Sequence, residues 1–61
     1  MKFIEIKSFG NRTFINPQYI ESVVEIDGKT RICPACGEGY FETDEPIDVI
    51  MNRIDRIEAT P

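Results

Sequence analysis

The chain contains no histidine, so the side chain that most often moves protons near neutral pH is missing. Cys33 and Cys36 are its only cysteines, which excludes a four-thiolate metal site built from one chain. It also lacks any cluster of lysine and arginine. Seven basic residues stand against eleven acidic ones, for a net charge of −4. Nucleic-acid binding draws on a basic surface that displaces counterions from phosphates, so no nucleic acid is expected as a partner. No run approaches the roughly 20 apolar residues of a membrane span. Met1-Lys2-Phe3-Ile4-Glu5-Ile6-Lys7 breaks its apolar residues with charge too often for a signal peptide. The expected location is therefore the cytoplasm, where thiols stay reduced.

What is present is enough for one small domain. Sixty-one residues lie near the lower limit of independent folding, and such a chain buries only about 60% of its unfolded surface. Domains of this size commonly draw extra stability from a disulfide, a metal or a partner subunit. Residues 1–58 read as a single α+β domain and 59–61 as a frayed C-terminus.

The first half alternates with a period of two. From Phe3 to Phe9, Ile4 and Ile6 fall on one side and Glu5 and Lys7 on the other, the pattern of a strand. Gly10-Asn11 predicts a turn, and Arg12-Thr13-Phe14-Ile15 a second short strand. Asn16-Pro17 interrupts, because proline cannot donate to a ladder and pushes its predecessor to an extended conformation. Tyr19–Ile26 is the longest strand, with Ile20, Ser22, Val24 and Ile26 on one face and Glu21, Val23 and Glu25 on the other. Asp27-Gly28 is a hairpin turn, Thr30–Cys33 the returning strand, and Tyr40–Thr43 a fifth.

The C-terminal segment changes period. Ile47, Ile50, Met51, Ile54 and Ile57 recur at offsets of three and four, one face of a helix. Thr43 or Asp44 is the expected N-cap, with Glu45 and Pro46 in the first turn. That stripe can be buried only against the strands, which predicts a small antiparallel sheet of about five strands covered by one C-terminal helix. The opposite face of the sheet is then open. On the alternation above, Phe3, Phe9, Phe14 and Val23 lie on it and form the candidate interaction surface. The two outcomes for such a face are self-association and closure of a curled sheet over it.

Cys33-Pro34-Ala35-Cys36-Gly37 admits four readings. A redox pair of the thioredoxin kind needs a helix N-terminus after the first thiol, whereas Gly37-Glu38-Gly39-Tyr40-Phe41 reads as turn and strand. A disulfide across the turn would close a very small loop and contribute little. The run is similar to the knuckle of zinc-ribbon and rubredoxin-like proteins. That makes zinc the one candidate cofactor, with Cys33 and Cys36 completed by a second subunit or by carboxylates such as Glu38 or Asp44. The simplest reading is a hairpin turn with Cys33 packed as a small apolar residue.

Phe14-Ile15-Asn16-Pro17, then Ile20-Glu21-Ser22-Val23, resembles the small FlbD/SwrD-type flagellar and swarming-motility proteins. Ile32, the Gly37 turn, Tyr40 and Asp44-Glu45 ahead of Val49-Ile50 follow in a similar order, so the likeness runs from about Phe3 to Ile57. It implies an accessory protein that acts through contacts with other proteins, and it supplies no catalytic residues. Cys33 to Cys36 fall where that family has ordinary strand and turn residues.

Nothing else points to catalysis. Asp44 and Glu45 are explained by the start of the helix, and a domain this small has little room for a cleft. The sequence thus predicts a non-enzymatic protein-interaction or assembly module whose partner is another protein or a second copy. The alternative is a zinc-binding module that shares its metal between subunits.

Overall fold

Five strands and one helix form the fold, as the alternation predicts, in a computed structural model that describes residues 2–59. Strands β1 (Ile4–Ser8) and β2 (Asn11–Ile15) make an antiparallel hairpin in register Ile4↔Ile15 to Ser8↔Asn11. Strands β3 (Ile20–Ile26), β4 (Lys29–Pro34) and β5 (Phe41–Thr43) make a second antiparallel sheet in that order. Helix α1 (Ile47–Ala59) closes the chain. Of the expected frayed segment 59–61, Ala59 is the last helical residue, and Thr60 and Pro61 lie outside the described residues.

The strands divide into two sheets because of what separates β2 from β3. Asn16 caps a single 3-10 turn at Pro17–Tyr19, its side chain accepting from the Gln18 amide at 2.9 Å. Pro17 has no amide for a ladder and is buried. The two sheets meet at one corner, where the Phe9 amide donates to the Glu42 carbonyl at 3.2 Å and the Glu42 amide to Ser8 Oγ at 3.3 Å.

The first turn falls one residue earlier than Gly10-Asn11. Phe9 and Gly10 are its central pair, both with positive φ (50° and 83°), and Asn11 already belongs to β2. Asp27-Gly28 adopts the same two-residue geometry, φ 52° and 77°, as its sequence predicts. The helix begins three residues after the expected cap. The Pro46 carbonyl accepts from Val49 and Ile50, while Thr43 Oγ1 accepts from the Glu45 amide in the turn before it. Asp48 in the first turn and Arg56 in the last suit the helix dipole.

The core consists of Ile4 and Ile6 from β1, Ile15 from β2, Ile32 from β4, and Ile50 and Ile54 from α1. Buried Thr30 donates to the Glu45 carbonyl at 2.7 Å. Among the described residues no buried side-chain polar atom lacks a partner, as a stable interior requires. Among the described residues no helix is long and apolar enough to cross a membrane.

Candidate functional site

A bulge decides which side chains β3 shows. Its register with β4 shifts between Ile20 and Ser22, so the extra residue, Glu21, puts Ile20 and Val23 on the same side. Val23 pairs with buried Ile32 and packs against the core. It therefore does not share an open face with the phenylalanines, as strict alternation from Tyr19 would have it. Val24 and Ile26 turn outward instead and are exposed.

Phe3, Phe9 and Phe14 are exposed, although Phe3 precedes β1 and Phe9 sits in the first hairpin turn, so neither lies on a strand face. They are not alone. The ring of Phe9 lies 6.3 Å from that of Tyr40, and the Arg31 guanidinium sits 4.5 Å from the Tyr40 centroid. Phe14 carries Arg12 at 5.6 Å and borders an apolar groove with Ile15, Tyr19, Ile20, Pro34 and Phe41. Tyr19 is 62% exposed. The alternation makes it the first residue of a strand; its position two residues after Pro17, at the end of the turn that Asn16 caps, is the signal that places it outside.

A second groove separates β3 from α1. Pro17, Ile20, Val23 and Ile54 line it, Met51 stands along it, and Glu21 and Ser22 mark its strand side. Met51 belongs to the periodic stripe of the helix but is 40% exposed, whereas Ile50 and Ile54 are buried. The stripe is thus wider than the surface the strands cover.

The cysteine run is the expected turn, extended over residues 35–40. Cys33 lies in β4 opposite Ser22, half-buried, and Cys36 is exposed in the loop; both thiols are free. The Ala35 amide donates to the Tyr19 carbonyl at 2.7 Å, and the chain then turns back through Gly37 and Gly39, φ 90° and 93°. Open space surrounds both glycines, so backbone conformation selects them, not crowding. Among the described residues no three His, Cys, Asp or Glu side chains converge. Two thiolates are what this loop offers a metal, and a closed tetrahedral zinc site would take two further donors from another chain.

Of three arginine–carboxylate pairs among the described residues, Arg12–Glu5 is the most exposed, and Arg53–Glu45 and Arg31–Glu42 are partly buried. Arg53 forks onto Glu45, NH2 to Oε1 at 2.5 Å and NH1 to Oε2 at 2.9 Å, and NH1 also reaches the Glu5 carbonyl at 2.8 Å. The hydrogen bond from Arg53 holds the Glu45 carboxyl below its ordinary range, and the same bond raises Arg53. Arg31 donates to Glu42 at 2.8 Å, a bond that raises Arg31 in turn. A carboxylate kept ionised in this way is the opposite of a general acid poised near neutrality. Glu45 therefore acts as an anchor for the helix.

No protein-family model, curated protein or solved structure matches the chain.

Proposed function

We propose that the chain is a small non-catalytic protein-interaction module, acting in the cytoplasm as an assembly or accessory component of the kind the FlbD/SwrD resemblance implies. One observation carries this reading. Among the described residues, nine large apolar side chains are exposed while six isoleucines form the core. Single exposed apolar residues are ordinary, but adjoining ones that line grooves favour a protein contact. Here Phe14 and Tyr19 flank one groove and Met51 stands along another.

The test is sedimentation velocity over a concentration series, with binding of an apolar fluorescent dye measured in parallel. The reading expects self-association or dye binding, and expects Phe14→Ser with Tyr19→Ser to reduce it at unchanged circular dichroism. A chain that stays monomeric and dye-free at its highest soluble concentration would refute it.

A zinc-sharing dimer is the second reading, favoured by two free thiols three residues apart, Cys33 near the end of β4 and Cys36 exposed in the loop after it. One zinc per two chains in native mass spectrometry would establish it, and metal-free chains after zinc loading would end it.

A further inference from the structure

We infer that the free edge of β3 accepts an added strand from a partner protein, an extended segment of alternating apolar and basic residues seated between β3 and α1. The inference rests on the reading of the chain as an interaction module and names its partner chemistry.

Three observations converge on this edge. The first is unmet backbone. β3 is the terminal strand of its sheet, and among the described residues Glu21–Ile26 make no backbone hydrogen bond beyond the β4 ladder. Alternate amides and carbonyls on the far edge are thus left for solvent or a new strand. The other end of the sheet is closed, since Glu42 of β5 exchanges hydrogen bonds with Phe9 and Ser8.

The second is shape. The edge borders the groove whose apolar surface is Pro17, Ile20, Val23, Met51 and Ile54. Side chains of an added strand alternate between faces. One set would descend on that surface, and the other would lie beside exposed Val24 and Ile26. Backbone pairing supplies affinity in this mode of recognition, and pockets for alternate side chains supply specificity.

The third is charge. Glu21 and Glu25 on the strand, and Asp48 and Asp55 one turn either side of Met51 on the helix, make no ion pair among the described residues. Arg12, Lys29, Arg31 and Arg53 are already committed to carboxylates. The groove therefore favours lysine and arginine in its occupant. It disfavours a second copy of this chain, because the fullest antiparallel pairing of two β3 strands, centred on Val23, sets Glu21 opposite Glu25 twice. Like charges directly opposed destabilise a strand pair.

The test is an NMR amide titration of the full chain with a capped peptide of about eight residues, a usual strand length, alternating valine with arginine. Shifts should concentrate at Glu21–Ile26 and around Met51 and Ile54. Replacing arginine by glutamate in the peptide, or Glu21→Lys with Glu25→Lys in the protein, should weaken binding roughly tenfold or more, about 1.4 kcal/mol. N-methylation of alternate peptide amides on the pairing edge should abolish it. Equal binding of the methylated peptide, shifts confined to the Phe14–Tyr19 groove, or no shifts at millimolar peptide would each overturn the inference. If those results came with intact self-association or dye binding, strand addition would fall while the interaction module stood; loss of all three would remove both.

Discussion

Replacing Arg53 by methionine keeps the aliphatic stem and removes only the fork that ties α1 to the rest of the fold. Three hydrogen bonds go with it, two to Glu45 and one to the Glu5 carbonyl. Hydrogen bonds to a buried charged group contribute about 1.5–3 kcal/mol each. Here the partners are partly solvated, with side-chain exposures of 37% and 31%, so the contribution falls toward the 0.2–1 kcal/mol typical of surface pairs. The fork geometry and the third bond raise the total to about 1–2 kcal/mol at pH 7. For a domain of this size that is a fall in Tm of roughly 5–15 °C.

The pH dependence provides the sharper test. Glu45 has its pKa lowered in the folded state, so its contribution is fully present above the unfolded value, about 4.3. That contribution is lost as pH falls through the lower folded value. Urea denaturation of wild type and Arg53→Met should therefore show a gap at pH 7 that narrows progressively below about pH 4. A remnant should survive in strong acid, because the Glu5 carbonyl does not titrate. In Glu45→Gln most of the dependence of the gap on pH should vanish, the remainder coming from the Glu5 carboxylate, which also acts on Arg53. A gap of the same size at pH 2 and pH 7, or no gap at pH 7, would show that the clamp does not hold the helix.

Two further substitutions probe the turns. Phe9 holds a left-handed conformation at φ 50°, which costs an ordinary side chain about 1–2 kcal/mol and asparagine less. Phe9→Asn also gives up the tilted ring contact with Tyr40, worth about 0.5 kcal/mol at so exposed a site; thermal melts should show a Tm raised by a few degrees, and a lowered one would mean the ring contact outweighs the strain. Cys33→Ser with Cys36→Ser alters one half-buried and one exposed side chain in a turn. On the interaction reading, stability should fall by less than about 1 kcal/mol, and sedimentation with added zinc should match wild type; a zinc-dependent dimer that the double variant loses would favour the metal-sharing reading.

Features governed by local chemistry could be read from the sequence. Ile4 and Ile6 alternate with charge and are buried in β1; Asp27-Gly28 turns where the pair predicts; the isoleucine spacing of α1 marks its buried side. What escaped was governed by phase and by neighbours. Phenylalanine is a poor signal for a left-handed turn, so the first hairpin turn was displaced by one residue, and Asn11 moved into a strand. One bulged residue at Glu21 reversed the faces of everything beyond it, sending Val23 inward and Val24 and Ile26 outward. The helix start moved because Thr43 and Glu45 found tertiary uses: Thr43 is buried in β5, and Glu45 is engaged by Arg53. The β3–α1 groove was not legible at all. It depends on the angle at which the helix crosses the strands, and periodicity carries no information about that angle.

The same bulge links the core to the proposed binding edge. Without an extra residue between Ile20 and Val23, only one of the two could face the isoleucine core, and the far half of β3 would show its other face. With it, both side chains close the core, while Ser22, Val24 and Ile26 take the outer side. A bulge also bends its strand and increases local twist, and this one lies on the strand side of the groove that Met51 borders. Edge strands invite indiscriminate pairing, and charged side chains are the usual protection. Here that protection is entirely acidic. Glutamates that disfavour pairing of one copy with another leave the edge open to the basic strand proposed above, so on that proposal a single set of residues would serve both ends.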